Sequence, residues 1–181
     1  GSTLKGYRHL LANDPEFAER ASHFSSRVKD VTEFLADLPL RRPDHRVDRV
    51  VTLQEPCHLA HAQRIRAAPR RLLQEIPGLR LVEMEESALC CGSAGVYNVT
   101  QPQKSRELLA RKLKHALATG AQTIVTANPG CHLQLEAGLR RTQAQVDVRH
   151  IVDLLDEAYH GPSGSSEYPT LTTSVTQRGD L

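Results

Sequence analysis

The sequence has no apolar run approaching the roughly 18 residues that a membrane-spanning helix requires. It also has no apolar stretch behind its first residues, Gly1-Ser2-Thr3-Leu4-Lys5, of the kind a signal peptide carries. The expectation from these two absences is a chain that stays in the cytosol, either free or seated peripherally at the inner face of the cell membrane. An initiating methionine is missing too, as expected of a processed or partial chain. No charge of one sign dominates: 23 Lys and Arg stand against 21 Asp and Glu, for a net charge of +2. Nucleic-acid binding calls for a concentrated basic face and is not expected. No internal repeat is visible. Cysteine is scarce, with four among 181 residues. In a reducing compartment such residues more often bind metal or do redox work than form structural disulfides.

What is there gathers around Leu89-Cys90-Cys91-Gly92-Ser93-Ala94-Gly95. Two adjacent cysteines followed by a small, glycine-containing loop make an unusual local sequence. The other two, Cys57 and Cys131, stand on either side of it. The length of the chain suffices for one domain with its own hydrophobic core, and the order of elements explains how these residues can meet.

Residues 3–39 read as helical. Leu4, Tyr7, Leu10 and Leu11 form one apolar stripe. Asn13-Asp14-Pro15 breaks it and caps a new helix with Pro15 at its first position. Residues 40–48 are a charged connector. Arg49-Val50-Val51-Thr52-Leu53-Gln54 is a short β-branched run and predicts a buried strand that ends at Glu55-Pro56-Cys57-His58. A helix is expected next, interrupted at Pro69, and then a second strand over residues 79–84. Behind Gln101-Pro102 a helix is expected to run to about Thr119, with Leu109, Leu113 and Leu117 on one face and Gly120 as its stop. Residues 123–126 form a third strand, Cys131 opens a further helix, residues 146–148 form a last short strand, and residues 151–159 a last helix. From Gly161 on, Gly, Ser, Thr and Pro predominate, which predicts a disordered tail.

Alternating strands and helices with short connections predict an α/β fold, Rossmann-like or flavodoxin-like layers on a mainly parallel sheet, preceded by an N-terminal helical segment. The expected organisation is a helical segment over 1–40, a cysteine-rich domain over 41–160 and a tail over 161–181.

Cys57 follows the first predicted strand, Cys90 and Cys91 the second, and Cys131 the third. In a parallel α/β sheet these loops lie together at the carboxyl edge of the strands, where ligands bind. Four thiolates are the ligand set of a cubane iron–sulfur cluster or of a tetrahedral zinc site, and both stay open at this point. The alternatives are four scattered buried thiols, since free cysteine is often buried, and a strained vicinal disulfide at Cys90–Cys91. A helix N-terminus at Cys131 favours its thiolate. Gly92, Gly95 and Gly130 permit tight turns near sulfur. His58, His61 and His132 adjoin the cysteines, either as hydrogen-bond donors to sulfur or as ordinary helix residues. Glu85 and Glu86 are read as a solvated turn.

Pro56-Cys57-His58, Cys90-Cys91-Gly92-Ser93-Ala94-Gly95-Val96-Tyr97-Asn98 and Thr126-Ala127-Asn128-Pro129-Gly130-Cys131-His132-Leu133-Gln134 together resemble the cysteine-rich CCG domain. That domain occurs in heterodisulfide reductases, anaerobic glycerol-3-phosphate dehydrogenase, lactate-utilisation proteins and glycolate oxidase iron–sulfur subunits. The resemblance is strongest to the last and spans residues 1–159. It implies electron transfer. In such assemblies a flavin subunit oxidises a 2-hydroxy acid such as glycolate, and iron–sulfur centres carry the electrons onward. It implies a [4Fe-4S] cluster on Cys57, Cys90, Cys91 and Cys131, with zinc as the alternative, and flavin-containing subunits as partners. It assigns no catalytic residue to this chain.

Three departures shape that reading. The paired ferredoxin motifs of the family and the first of its two CCG motifs are absent from this sequence, which therefore resembles the C-terminal part of a longer subunit. Gln134 stands where heterodisulfide reductase types carry a final cysteine. The competing functional classes are a zinc-binding structural or interaction domain and a heterodisulfide reductase-like thiol redox subunit that uses Cys90 and Cys91 directly.

Overall fold

The computed structural model describes residues 1–142 and 144–162, so the expected tail falls, beyond Pro162, outside the described residues. The β-branched runs form four strands, β1 Arg49–Gln54, β2 Leu79–Leu81, β3 Thr123–Thr126 and β4 Asp147–His150. They make one parallel sheet in the order β2-β1-β3-β4. In register, Val51 lies between Leu81 on one side and Thr123 on the other.

Eight α-helices complete the described fold: α1 Ser2–Leu10, α2 Ala18–Arg27, α3 Val31–Ala36, α4 Ala67–Gln74, α5 Tyr97–Thr100, α6 Pro102–Ala118, α7 Pro129–Thr142 and α8 Ile151–His160. A single π-helical turn, His58–Ala62, adjoins Cys57. None of these helices is long and apolar enough to cross a membrane.

A parallel sheet covered on both faces must present apolar residues to both, and it does. Val51, Leu53 and Val125 pack with Leu72 and Leu73 of α4 and Ile151, Leu154 and Leu155 of α8. Ile124 and Val148 point the other way, to Leu109 and Leu113 of α6 and Leu135 and Leu139 of α7. Each such side chain, taken from water into the core, contributes about 1.5–3 kcal/mol.

The α/β reading and the N-terminal helical segment both stand. Strands β1 and β3 fall where the β-branched runs predict them. Other boundaries move for identifiable reasons. Pro69 does not interrupt a helix; it sits in the first turn of α4, where a missing N–H costs no hydrogen bond. Pro15 is likewise not the first residue of its helix. Asp14 Oδ1 accepts from the backbone N–H groups of Glu16 and Phe17, and this turn delays α2 to Ala18. Strand β2 stops at Leu81; Val82 still donates to the Val51 carbonyl before the chain leaves the sheet edge.

The strand order is that of flavodoxin-type winding, in which the chain reverses its crossover direction between the two central strands and leaves a crevice at their carboxyl ends. Here those strands are β1 and β3. The layer behind that crevice is tight at Gly138 of α7, where an added Cβ would lie 2.6 Å from Leu113 Cδ1 and 2.9 Å from Leu109 Cδ2 of α6. Gly138→Val is expected to wedge the two helices apart and cost about 1–3 kcal/mol. Thermal unfolding checks this: the melting temperature should fall by several degrees, and an unchanged value would contradict the packing described.

Candidate metal centre

The three loops that leave β1, β2 and β3 bring all four cysteines to the carboxyl edge of the sheet, with Cys57 and Cys131 astride the β1–β3 crevice. All four are free thiols; Cys91 and Cys131 are buried, Cys57 and Cys90 half-buried. They stand in a row: Cys57 lies beside Cys90, Cys90 beside Cys91, and Cys91 beside Cys131. Neighbouring thiols oppose each other's ionisation. The hydrogen bond with Cys131, with burial adding to it, pushes the Cys91 thiol up to about 12. The bond with Cys91, and then burial, carries Cys90 further in the same direction. Burial, and then Cys90, raises Cys57. Gly92 N–H donates to Cys90 Sγ at 3.3 Å and works against the rise.

The row is not closed around a point. Among the described residues, no three His, Cys, Asp or Glu side chains gather as they would around one metal ion. In number and chemistry the donors match a four-thiolate site.

Each loop is held by polar groups that the sequence does not advertise. Behind Cys57, Thr126 Oγ1 donates to Gln54 Oε1 at 2.7 Å, which stitches β1 to β3 in the buried interior. The Glu55 backbone N–H donates to the Ser87 carbonyl at 3.0 Å, and Ser87 Oγ returns a bond to Glu55 Oε2 at 2.7 Å. These two bonds tie the Cys57 loop to the Cys90 loop. Burial would raise the Glu55 carboxyl, but the Arg70 and Ser87 bonds, helped by the Arg66 charge, hold it below the usual range. Arg70 also grips Glu83 with two bonds, at 2.6 and 2.8 Å.

The Cys90–Cys91 loop rests on α6. Lys112, with no exposed surface, donates from Nζ to the carbonyls of Glu86 at 2.6 Å and Ser87 at 2.9 Å. Burial brings this ammonium down to about 8, against the opposing pull of Cys91 and Cys131. Ser105 Oγ donates to the Gly92 carbonyl at 2.8 Å and accepts from Gln134 Nε2 at 3.0 Å. Gln134 is thus a brace between α7 and α6. Asn128 orients the third loop: its Oδ1 accepts from the Cys131 N–H at 3.0 Å, and its amide nitrogen meets His58 Nε2 at 3.0 Å.

The histidines divide. His58 touches Asn128, His61 lies 3.1 Å from the Ala88 carbonyl, and His132 pairs with Glu136 one turn along α7. Glu86 pairs with Arg111 and His115 and is a solvated surface group, as its sequence context suggests. A surface cleft of about 540 Å³ lies at the opposite, amino edge of the strands between Asp48, Arg49, Gln122 and Asp147, and no thiol lines it.

Sequence reading misses Glu55, Ser87, Ser105, Lys112 and Asn128. A signal exists for one of them: Lys112 falls on the same face of α6 as Leu109 and Leu113, a core position for a charged residue. Gly92 is the backbone's own constraint. Its φ is +89°, and an added Cβ would lie 2.4 Å from the Ser105 carbonyl oxygen. Gly92→Ala is expected to cost about 1–3 kcal/mol in backbone strain alone and to displace Cys91. A drop in melting temperature with faster thiol modification by an aromatic disulfide reagent would show this; unchanged values would contradict it.

Comparison with known proteins agrees with this geometry. Residues 51–136 match the CCG cysteine-rich domain. The chain is 42% identical over 162 residues to the "Probable glycolate oxidase iron-sulfur subunit" of Bacillus subtilis, covering 87% of this chain and 36% of that protein. It is 35% identical over 159 residues to the "Glycolate oxidase iron-sulfur subunit" of Escherichia coli, covering 87% of this chain and 37% of that one. It is 30% identical over 159 residues to "Lactate utilization protein A" of Oceanobacillus iheyensis, covering 87% and 65%. The chain thus spans little more than a third of the glycolate oxidase relatives it matches. The cysteine pattern, the parallel sheet and these relatives agree: residues 51–136 carry a CCG cysteine-rich domain, within a chain similar over 87% of its length to glycolate oxidase iron–sulfur subunits.

Proposed function

We propose that this chain is the C-terminal part of an electron-carrying iron–sulfur subunit in a flavin-dependent assembly that oxidises a 2-hydroxy acid such as glycolate. Cys57, Cys90, Cys91 and Cys131 hold a [4Fe-4S] cluster. The observation that carries the reading is the meeting of all four cysteines, from three separate strand ends, at the crevice of a parallel sheet. The names of the relatives support the class of assembly.

When bound, the cluster supplies one-electron storage at a potential set by hydrogen bonds and burial around its sulfurs. The chain's own residues do the holding. Cys57, Cys90, Cys91 and Cys131 each give up a proton on ligation. The Gly92 N–H donates to one sulfur, Asn128 and Ser105 fix two of the loops, and Glu55 with Ser87 sets their separation. An open row of thiols suits a multi-iron cluster, which spreads its ligands over its own volume, better than one tetrahedral zinc ion with four donors about one centre.

The hydroxy acid binds elsewhere in the assembly, on a flavin-containing subunit. The working division is a helical segment over 1–40, a cysteine-rich domain over 41–160 and a tail beyond. Leu10, Phe24 and Phe34 of the helical segment stand exposed, and we assign this face to the remainder of the subunit, with its ferredoxin-like and first cysteine-rich parts. The assembly is assigned to the cytoplasm, either free or seated peripherally at the inner face of the membrane.

Iron, acid-labile sulfide and zinc should be measured on protein purified without air, for the wild type and Cys91→Ser. Near-stoichiometric iron and sulfide, lost in the variant, is the expected result. About one zinc per chain without sulfide would overturn the redox reading and leave a structural or docking domain.

A further inference from the structure

A buried ammonium needs an anion. Lys112 is completely buried, yet among the described residues it makes no ion pair with a carboxylate; its Nζ has two backbone carbonyls, those of Glu86 and Ser87. The nearby Glu86 carboxylate is taken by Arg111 and His115 at the surface. Carbonyl oxygens satisfy hydrogen bonds but do not neutralise a charge, and an unpaired buried charge is strongly destabilising. The carbonyls it holds lie four and three residues before Cys90, so the ammonium is fixed to the loop that delivers Cys90 and Cys91; besides Glu86, the groups near enough for their charge to act on it are Cys91, Cys131 and Cys90. A four-thiolate metal site is anionic, and a cation fixed to its loop would gain there the partner that a buried ammonium needs.

We propose that Lys112 is the internal counter-cation of the four-cysteine site. It is a positioning residue that anchors the loop in front of Cys90 and offsets the negative charge of the loaded site. The inference rests on the metal-binding reading above and adds to it the source of the compensating charge. A purely structural lysine would behave differently. Its removal would loosen the empty protein and leave the electronic properties of the loaded site unchanged.

The two roles separate on Lys112→Met, with Lys114→Met as a control on an exposed position of the same helix. The metal-free Lys112→Met chain loses a buried charge together with its two carbonyl bonds, so its melting temperature should stay near the wild-type value. After anaerobic reconstitution with iron and sulfide, its reduction midpoint should move to more negative potential. The expected size is at least a tenfold change in the reduced-to-oxidised ratio, about 59 mV for a one-electron couple. An iron chelator should strip it at least tenfold faster. Lys114→Met should match the wild type in all three. A folded Lys112→Met with wild-type midpoint and wild-type release would overturn the proposal. If Lys112→Met does not fold, Lys112→Gln keeps a donor to the loop without the charge. The same shift is expected there, and wild-type behaviour would overturn the proposal equally. If the wild type takes up zinc without sulfide, the electron-transfer reading fails while this one is still tested, by tenfold faster zinc release to a chelator in the variant.

Discussion

Four thiols packed side by side cannot all carry charge at once unless positive charge is placed among them. This constraint organises the site. In the metal-free protein, ionisation of Cys90 or Cys91 is opposed first by a neighbouring thiol and then by burial. The protonated thiols are small and weakly polar, and the fold tolerates them as it would other buried cysteines. A metal centre held there, as proposed, would take the place of the protons and replace mutual repulsion with ligation, so that the same proximity would become favourable. The surrounding structure keeps the thiols adjacent, and its polar groups are spent on that task.

Topology does most of the assembly. Parallel strands send every connecting loop to one edge, and the reversal of crossover direction between β1 and β3 opens a crevice between Cys57 and Cys131. Cys90 and Cys91 reach the same place by a long loop from the edge strand β2, which has no regular ladder to hold it. That loop is accordingly the most braced. Glu55, Lys112 and Ser105 each bond to it, and Gly92 lets it pass within contact of α6. The braces come from the β1 end and from α6, so the sheet and one helical layer jointly set the spacing of the thiols.

The sheet and the cysteine placement are legible in the sequence because they depend on local signals. The run Arg49-Val50-Val51-Thr52-Leu53-Gln54 and the run Thr123-Ile124-Val125-Thr126 are strands because β-branched residues suit a covered sheet, and each is followed by a cysteine-bearing turn. Pro69 misleads because proline breaks a helix in its interior but is tolerated in its first turn, and the sequence alone does not say which turn it occupies. The π-helical turn beside Cys57 and the short α5 arise from tertiary packing and leave no periodic trace. Glu55, Ser87 and Asn128 look like ordinary polar loop residues; the bonds by which they join separate loops reach partners 32 and 70 positions away. Lys112 is the exception, since a charged residue on an apolar helix stripe is a visible anomaly whose explanation needs the third dimension.

The central claim is that these four cysteines are together the ligands of one iron–sulfur centre. X-ray absorption at the iron edge, recorded on the anaerobically reconstituted chain, tests it most directly. The account requires a first shell of sulfur alone, with iron–iron scattering behind it, and entry of an oxygen or nitrogen scatterer when Cys57, Cys90, Cys91 or Cys131 is changed to alanine. A first shell already mixed in the wild type, or one indifferent to the loss of any of the four thiols, would contradict it.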